Sequence, residues 1–149
     1  MDGMPPAETI RKVAEKLDYA INEKDHETIL SSFSEDCEIE LLGIRLMGRE
    51  GVVKWVTWMN SHLAEVKLTP VAIMVDGNRL FEDFVLSAKL HTGVQIASKQ
   101  AQVLIFESAK IKKLRLYFDR IDFADSLVRG FVNRSIVKRL IKKSLQGLN

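Results

Sequence analysis

The chain has 149 residues, 46% hydrophobic and 28% charged, which is enough for one buried core and too little for two. Its single cysteine, Cys37, excludes an internal disulfide framework and a cysteine-rich metal site, and His26, His62 and His91 show no ligand spacing, so neither metal nor cofactor is expected. The net charge of +2 is uneven: residues 1–125 carry 16 cationic against 20 acidic side chains, and the remainder carries six cations and no acid.

The N-terminal "MDGMPPAETI" lacks a basic region followed by an apolar run, and no stretch approaches membrane-spanning length, so a cytoplasmic protein is expected. After Pro5 and Pro6, apolar residues at Ile10, Val13, Ala14, Leu17, Ala20 and Ile21 have helical spacing and predict a helix over residues 7–23. Asp25 is placed to cap a short second helix bearing Ile29, Leu30 and Phe33, which "SEDC" closes. "CEIELLGIRLMG" reads as a hairpin turning at Gly43. From Glu50 to about His62 the helical period returns, with Val52, Trp55, Val56, Met59 and Leu63 on one stripe and Trp58 at its border. The period then becomes two over 66–76, 79–91, 94–107 and 111–123, four strands separated by the turns "DGN", "HTG" and "ESAK". The chain ends in helical spacing from residue 126. Helices followed by an antiparallel meander give an α+β order rather than alternating βαβ units.

The stretches "AINEKDHETILSSFSEDCEIE", "GREGVVKW", "DGNRLFEDF" and "KIKKLRLYFDRID", in this order and spacing, resemble successive landmarks of the SnoaL-like and ketosteroid-isomerase-like branch of the nuclear-transport-factor-two-like superfamily. The likeness covers about residues 8–125. It implies a conical half-barrel, a curved antiparallel sheet wrapping the N-terminal helices around a deep apolar pocket, commonly dimeric through the outer face of the sheet. Residues 1–125 would form the cone, with residues 126–149 an extra helix packed on the same domain or on a dimer mate. The scaffold carries isomerases, cyclases, epoxide hydrolases and noncatalytic binding modules, so it does not imply one chemistry. Carried over landmark by landmark, the isomerase's tyrosine falls on Leu17, its base on Leu41 and its second aspartate on Gln102. The final aspartate of the limonene-type epoxide hydrolases falls on Leu116, and their arginine–aspartate pair falls near Glu82 and Phe84. Neither constellation is present, which argues against limonene-type hydrolysis.

Alternation decides which residues share the concave face of such a sheet. Leu114, Leu116 and Phe118 are expected to line the cavity with Arg120 at its rim. Glu82 and Phe84 share a face on another strand, and Gln100 and Gln102 on a third. Trp55 and Met59 look down from the third helix. Glu82 breaks an apolar pattern: desolvated between Leu80 and Phe84, it would be a stronger proton acceptor and a candidate general base, with Gln100 or Gln102 donating to an enolate oxygen. Alternatively, it pairs with an Arg or Lys, or a bulge turns it outward, and Gln100 and Gln102 are either donors to a ligand or satisfied by each other and by water. Trp55 and Trp58 could stack on a flat ligand or simply fill the core. His62 reads as an acid at the cavity mouth or as a capping histidine.

Asp119, Arg120, Asp122 and Asp125 cluster where the last strand stops. Asp119 points away if Phe118 points in, so the cluster reads as structural, with Asp125 capping the following helix and Arg120 available to an anion. That helix carries Leu127, Val128, Phe131, Val132, Ile136, Leu140 and Ile141 on one side among six cations, a pattern suited to packing or to an acidic partner or membrane surface. Nucleic-acid binding lacks the interleaved aromatics it would need. Two functions stay open: a homodimeric pocket protein for a small apolar, carbonyl-containing molecule, isomerising or cyclising it with Glu82 as base, or a noncatalytic dimeric binding or interaction module.

Overall fold

A computed structural model describes residues 3–127 and 131–148, and among these the side chains of all but residues 125–127 and 131–132. Two helices open the chain. α1, Ala7–Glu23, buries Ile10, Ala14, Leu17, Ala20 and Ile21 on one side and ends where Lys24 takes a left-handed φ of 57°. The Lys24 ammonium donates to the carbonyls of Leu63 and Ala64, and the Asn22 side chain accepts from Leu68 N at 2.8 Å, which ties the end of α1 to the sheet. Asp25 caps α2, His26–Ser32, by accepting from Thr28 N at 3.1 Å.

Six strands form one curved, open sheet: β1 (Phe33–Leu41), β2 (Ile44–Met47), β3 (Leu63–Asp76), β4 (Arg79–Leu90), β5 (Gln95–Glu107) and β6 (Lys110–Tyr117), in the order β2-β1-β6-β5-β4-β3. Among the described residues, five helices and this sheet make an α+β cone. Every pair is antiparallel except β1 with β6, where Ile39 faces Leu114 and Leu41 faces Leu116. α3, Gly48–His62, crosses the hollow and buries Val52, Trp55, Val56 and Met59. It passes so close to β2 that a Cβ on Gly51 would lie 2.7 Å from the Leu46 carbonyl carbon, so only glycine fits there.

Three differences from the sequence reading bear on the site. Phe33, assigned to the second helix by spacing, is already extended and pairs with Ile111 on β6. Leu63, assigned to the third helix, begins β3: its N–H closes on Met59 O and its backbone is extended. The last strand stops at Tyr117 rather than 123, because the Asp119 carboxylate accepts from Ile121 N at 2.9 Å and starts helix α4, Ile121–Leu127. Asp125 therefore lies inside a helix that Asp119 has already begun, and does not cap it.

The C-terminal helix α5, Phe131–Ser144, contacts α4. Its Ile136 and Leu140 are 51% and 61% exposed, so a single chain leaves these two apolar side chains uncovered. The predicted helical positions Val128 and Arg129 lie outside the described residues, as do the side chains of Leu127, Phe131 and Val132. No helix among the described residues is long and apolar enough to cross a membrane.

The turn "ESAK" places two side-chain-bearing residues in the left-handed region, Ser108 at φ 48° and Ala109 at φ 60°. Such a conformation costs an alanine about 1–2 kcal/mol and glycine little. Ala109→Gly is therefore expected to raise unfolding stability by about 1 kcal/mol in urea denaturation; an unchanged or lower midpoint would show that this turn is unstrained.

Candidate functional site

The concave face of the sheet and the underside of α3 enclose a cavity of about 250 Å³, near the lower end of ordinary ligand pockets, roughly 300–1,000 Å³. Its walls are mainly apolar. Trp55 and Met59 descend from α3, Phe84 and Leu86 rise from β4, and Leu116 comes from β6. Phe118 and Phe123 stand at one end in an edge-to-face pair with centroids 5.6 Å apart. Gln100 and Gln102 add polar groups from β5, and Arg120 lies at the rim, where its Nη2 donates to Leu42 O at 3.2 Å. Of the residues expected around the hollow, two are displaced: Leu114 is fully buried in the core, Glu82 is 2% exposed, and neither borders the cavity.

Behind Gln102 lies a polar cluster inside the protein. Glu82 faces Gln102 across the β4–β5 pair and is 2% exposed. Gln102 donates its amide N–H to Glu82 Oε2. The neighbour on Glu82's other side comes from α1: Asp18, 7% exposed, close enough to hydrogen-bond both Glu82 and Gln102. None of the ion pairs among the described residues involves either acid, and neither expected alternative for Glu82, a cationic partner or an outward-turning bulge, is found.

Two neighbouring carboxylates can only accept hydrogen bonds, and here Asp18 Oδ1 and Glu82 Oε1 are both buried without a partner. One retained proton resolves this, because a neutral carboxyl donates to its ionised neighbour. The energetics point the same way. Burial foremost, then the charge of Glu82 and the hydrogen bond with it, push the Asp18 carboxyl up from 3.8 to about 8, against a smaller lowering by Gln102. Neither acid borders the cavity; Gln102 stands between them and it.

Gln100 is engaged differently. Ser98 donates its hydroxyl to Asp122 Oδ2 at 2.7 Å, and Gln100 Nε2 donates to Ser98 Oγ at 3.3 Å. This chain ties the first turn of α4 to β5 and brings Phe123 against the cavity. Gln100 and Gln102 thus each commit an amide N–H within the protein, to Ser98 and Glu82 rather than to each other. The cluster at the strand end is structural for Asp119 and Asp122, and Arg120 is the member that reaches the cavity.

Sequence reasoning missed Asp18. Its signal was present: it sits four residues after Ala14 and three before Ile21, on the stripe that α1 buries, where a carboxylate is out of place unless it has a partner. His62, weighed as a mouth acid or a cap, does line the cavity.

An acid whose pKa is raised on folding contributes stability that is fully present below its unfolded value of 3.8 and is lost as pH rises through about 8. Each such proton adds a slope of up to about 1.4 kcal/mol per pH unit. Urea unfolding of the wild type between pH 5 and 9 should therefore fall more steeply with pH than that of Asp18→Asn. Parallel profiles would show that Asp18 holds no proton in the folded protein.

Residues 13–114 match the family model described as the SnoaL-like domain. No curated protein matches the chain significantly. Among solved structures, an LEH-like epoxide hydrolase of M. tuberculosis superposes with a TM-score of 0.71 at 19% identity, covering 89% of this chain and 98% of its own. A candidate polyketide cyclase from Xanthomonas campestris pv. campestris gives 0.70 at 18% identity, covering 75% and 91%. A nuclear-transport-factor-two-like protein of unknown function from Burkholderia pseudomallei gives 0.69 at 18% identity, covering 74% and 91%. At these identities the likeness concerns the fold.

Proposed function

Because this chain belongs to the SnoaL-like family, whose fold serves enzymes and binding proteins alike, we propose that it binds a small, largely apolar molecule and moves a proton on it, with the Asp18–Glu82 pair as acid–base group. The observation that carries this reading is an apolar cavity whose polar end lies one side chain away from two carboxyls that need a shared proton. At neutral pH Asp18 holds that proton and Glu82 is the accepting member. In an isomerisation or cyclisation, Glu82 takes a proton from a carbon beside the ligand's carbonyl, leaving an enolate, and returns it to another atom, so no oxidant or cofactor enters the balance. For this, Gln102 turns aside from Glu82, which removes the screen between acid and ligand. Structural neighbours named as an epoxide hydrolase and a candidate polyketide cyclase show that the scaffold is compatible with small-molecule chemistry.

A second reading, a noncatalytic binding module, draws on one specific feature: Gln102 screens both carboxyls from the cavity. In that reading the acid-free, cationic α5, with Ile136 and Leu140 exposed, serves an acidic partner or membrane surface.

The two separate experimentally. Titration with hydrophobic ketones should give saturable binding that Leu86→Trp abolishes by filling the cavity. Once a turned-over ketone is found, Glu82→Gln should keep binding and lose turnover by at least about 100-fold. Normal turnover by that variant would remove Glu82 from the chemistry. Ketone binding without turnover, together with anionic-liposome binding that is lost on deleting residues 126–149, would establish the binding module instead.

We further propose a homodimer through the convex face of the sheet, where Met74, Phe81 and Val103 form one cross-strand row, with Met74 65% and Phe81 37% exposed. Light scattering should give twice the chain mass for the wild type and a monomer for Phe81→Glu, since a charge in an apolar interface is not compensated. A wild-type monomer, or a variant that remains dimeric, would place association elsewhere or exclude it.

A further inference from the structure

We propose that His62 Nε2 is the hydrogen-bond acceptor at the mouth of the cavity, and that the molecule bound there carries a hydroxyl group, as a phenol or an alcohol does. The inference rests on the cavity reading above and deepens it by adding a donor to an otherwise apolar ligand.

The tautomer of His62 follows from its partners. Nδ1 lies 2.9 Å from Trp58 O and 3.0 Å from Ser61 Oγ. A backbone carbonyl only accepts. The Ser61 hydroxyl already donates its hydrogen to the same carbonyl at 2.7 Å, so towards the ring its oxygen accepts as well. Both neighbours therefore require a hydrogen on Nδ1, and in the neutral imidazole the lone pair is on Nε2. The ring's position is also fixed. His62 is the last residue of α3, where its Nδ1–H meets the Trp58 carbonyl one turn earlier, and it leans on the Trp58 ring with centroids 5.5 Å apart.

The other polar groups on the wall leave this role open to His62. Arg120 can only donate; Gln100 and Gln102 keep acceptor oxygens, Gln100 Oε1 being without a partner, but both side chains are buried on β5, whereas His62 is exposed at the end of α3 and is the acceptor at the mouth. Among the described residues, the hydrogen bonds of His62 run through Nδ1 and none engages Nε2. A bound apolar molecule that covers the mouth takes water away from that nitrogen, and a ligand hydroxyl replaces the lost hydrogen bond. His62 is thus a specificity-determining contact, distinct from the carboxyl pair behind Gln102.

Calorimetric titration with 2-naphthol and its methyl ether, 2-methoxynaphthalene, tests this, because the two share a ring system and an oxygen but only the first can donate. The wild type should prefer 2-naphthol by about three- to tenfold, in line with one hydrogen bond. His62→Phe should abolish the preference, and His62→Gln, which can place an acceptor oxygen near the position of Nε2, should restore it. Equal preference in the wild type and His62→Phe, no preference in the wild type, or a His62→Gln variant behaving like His62→Phe would each overturn the assignment while leaving the cavity reading intact. If neither compound binds the wild type, the cavity reading fails and this inference with it.

Discussion

Two acids buried side by side without a cation can persist only if they share a proton. Asp18 and Glu82 meet this condition where α1 lies beside β4. The constraint has three consequences in the structure. It couples the first helix to β4 and β5 through a polar contact in an otherwise apolar seam. It holds Gln102 with its amide turned back towards the acids, which sets the polar end of the cavity. It also places Asp18 where burial and a neighbouring negative charge favour the neutral form of its carboxyl.

The cavity is otherwise built to be dry. Aromatic and aliphatic side chains from α3, β4 and β6 form its walls, and the Ser98–Asp122 bond brings α4 and Phe123 against one end. Polarity is confined to three places: the two glutamines on β5, the Arg120 rim, and His62 at the end of α3. The positions at which the family resemblance would put the isomerase's tyrosine and base hold Leu17 and Leu41, both buried and apolar. The acid contributed by the first helix is instead Asp18, the residue next to Leu17, and its partner comes from β4. Any proton chemistry here is therefore laid out differently from that constellation.

Much of the fold was legible because its periods are clean. α1 has an uninterrupted apolar stripe, β4 and β5 alternate strictly, and the Asp25 cap and the tight turns carry their usual residues. That alternation also put Glu82, Phe84, Gln100 and Gln102 on one face. It said too little at two places in β6 and beyond. Leu114 obeys the alternation but lies beneath the cavity rather than beside it, since distance down the cone is invisible to a period of two. Beyond Tyr117 the pattern continued on paper to residue 123, while Asp119 had already captured the Ile121 N–H and begun a helix. Asp18 escaped notice because its partner lies 64 positions away in the chain and only the fold brings them together. The three histidines looked scattered for the same reason: His26 and His91 both bond Asn60, two residues before His62.

The central claim is that one of the two buried carboxyls stays protonated in the folded protein at neutral pH. Infrared difference spectroscopy with carboxyl-labelled aspartate tests it most directly. The account predicts a protonated-carboxyl band at pH 6 that persists at pH 7, fades as pH passes about 8, and is absent from Asp18→Asn. Aspartates that are all ionised at pH 6, with the protein still folded, would contradict it.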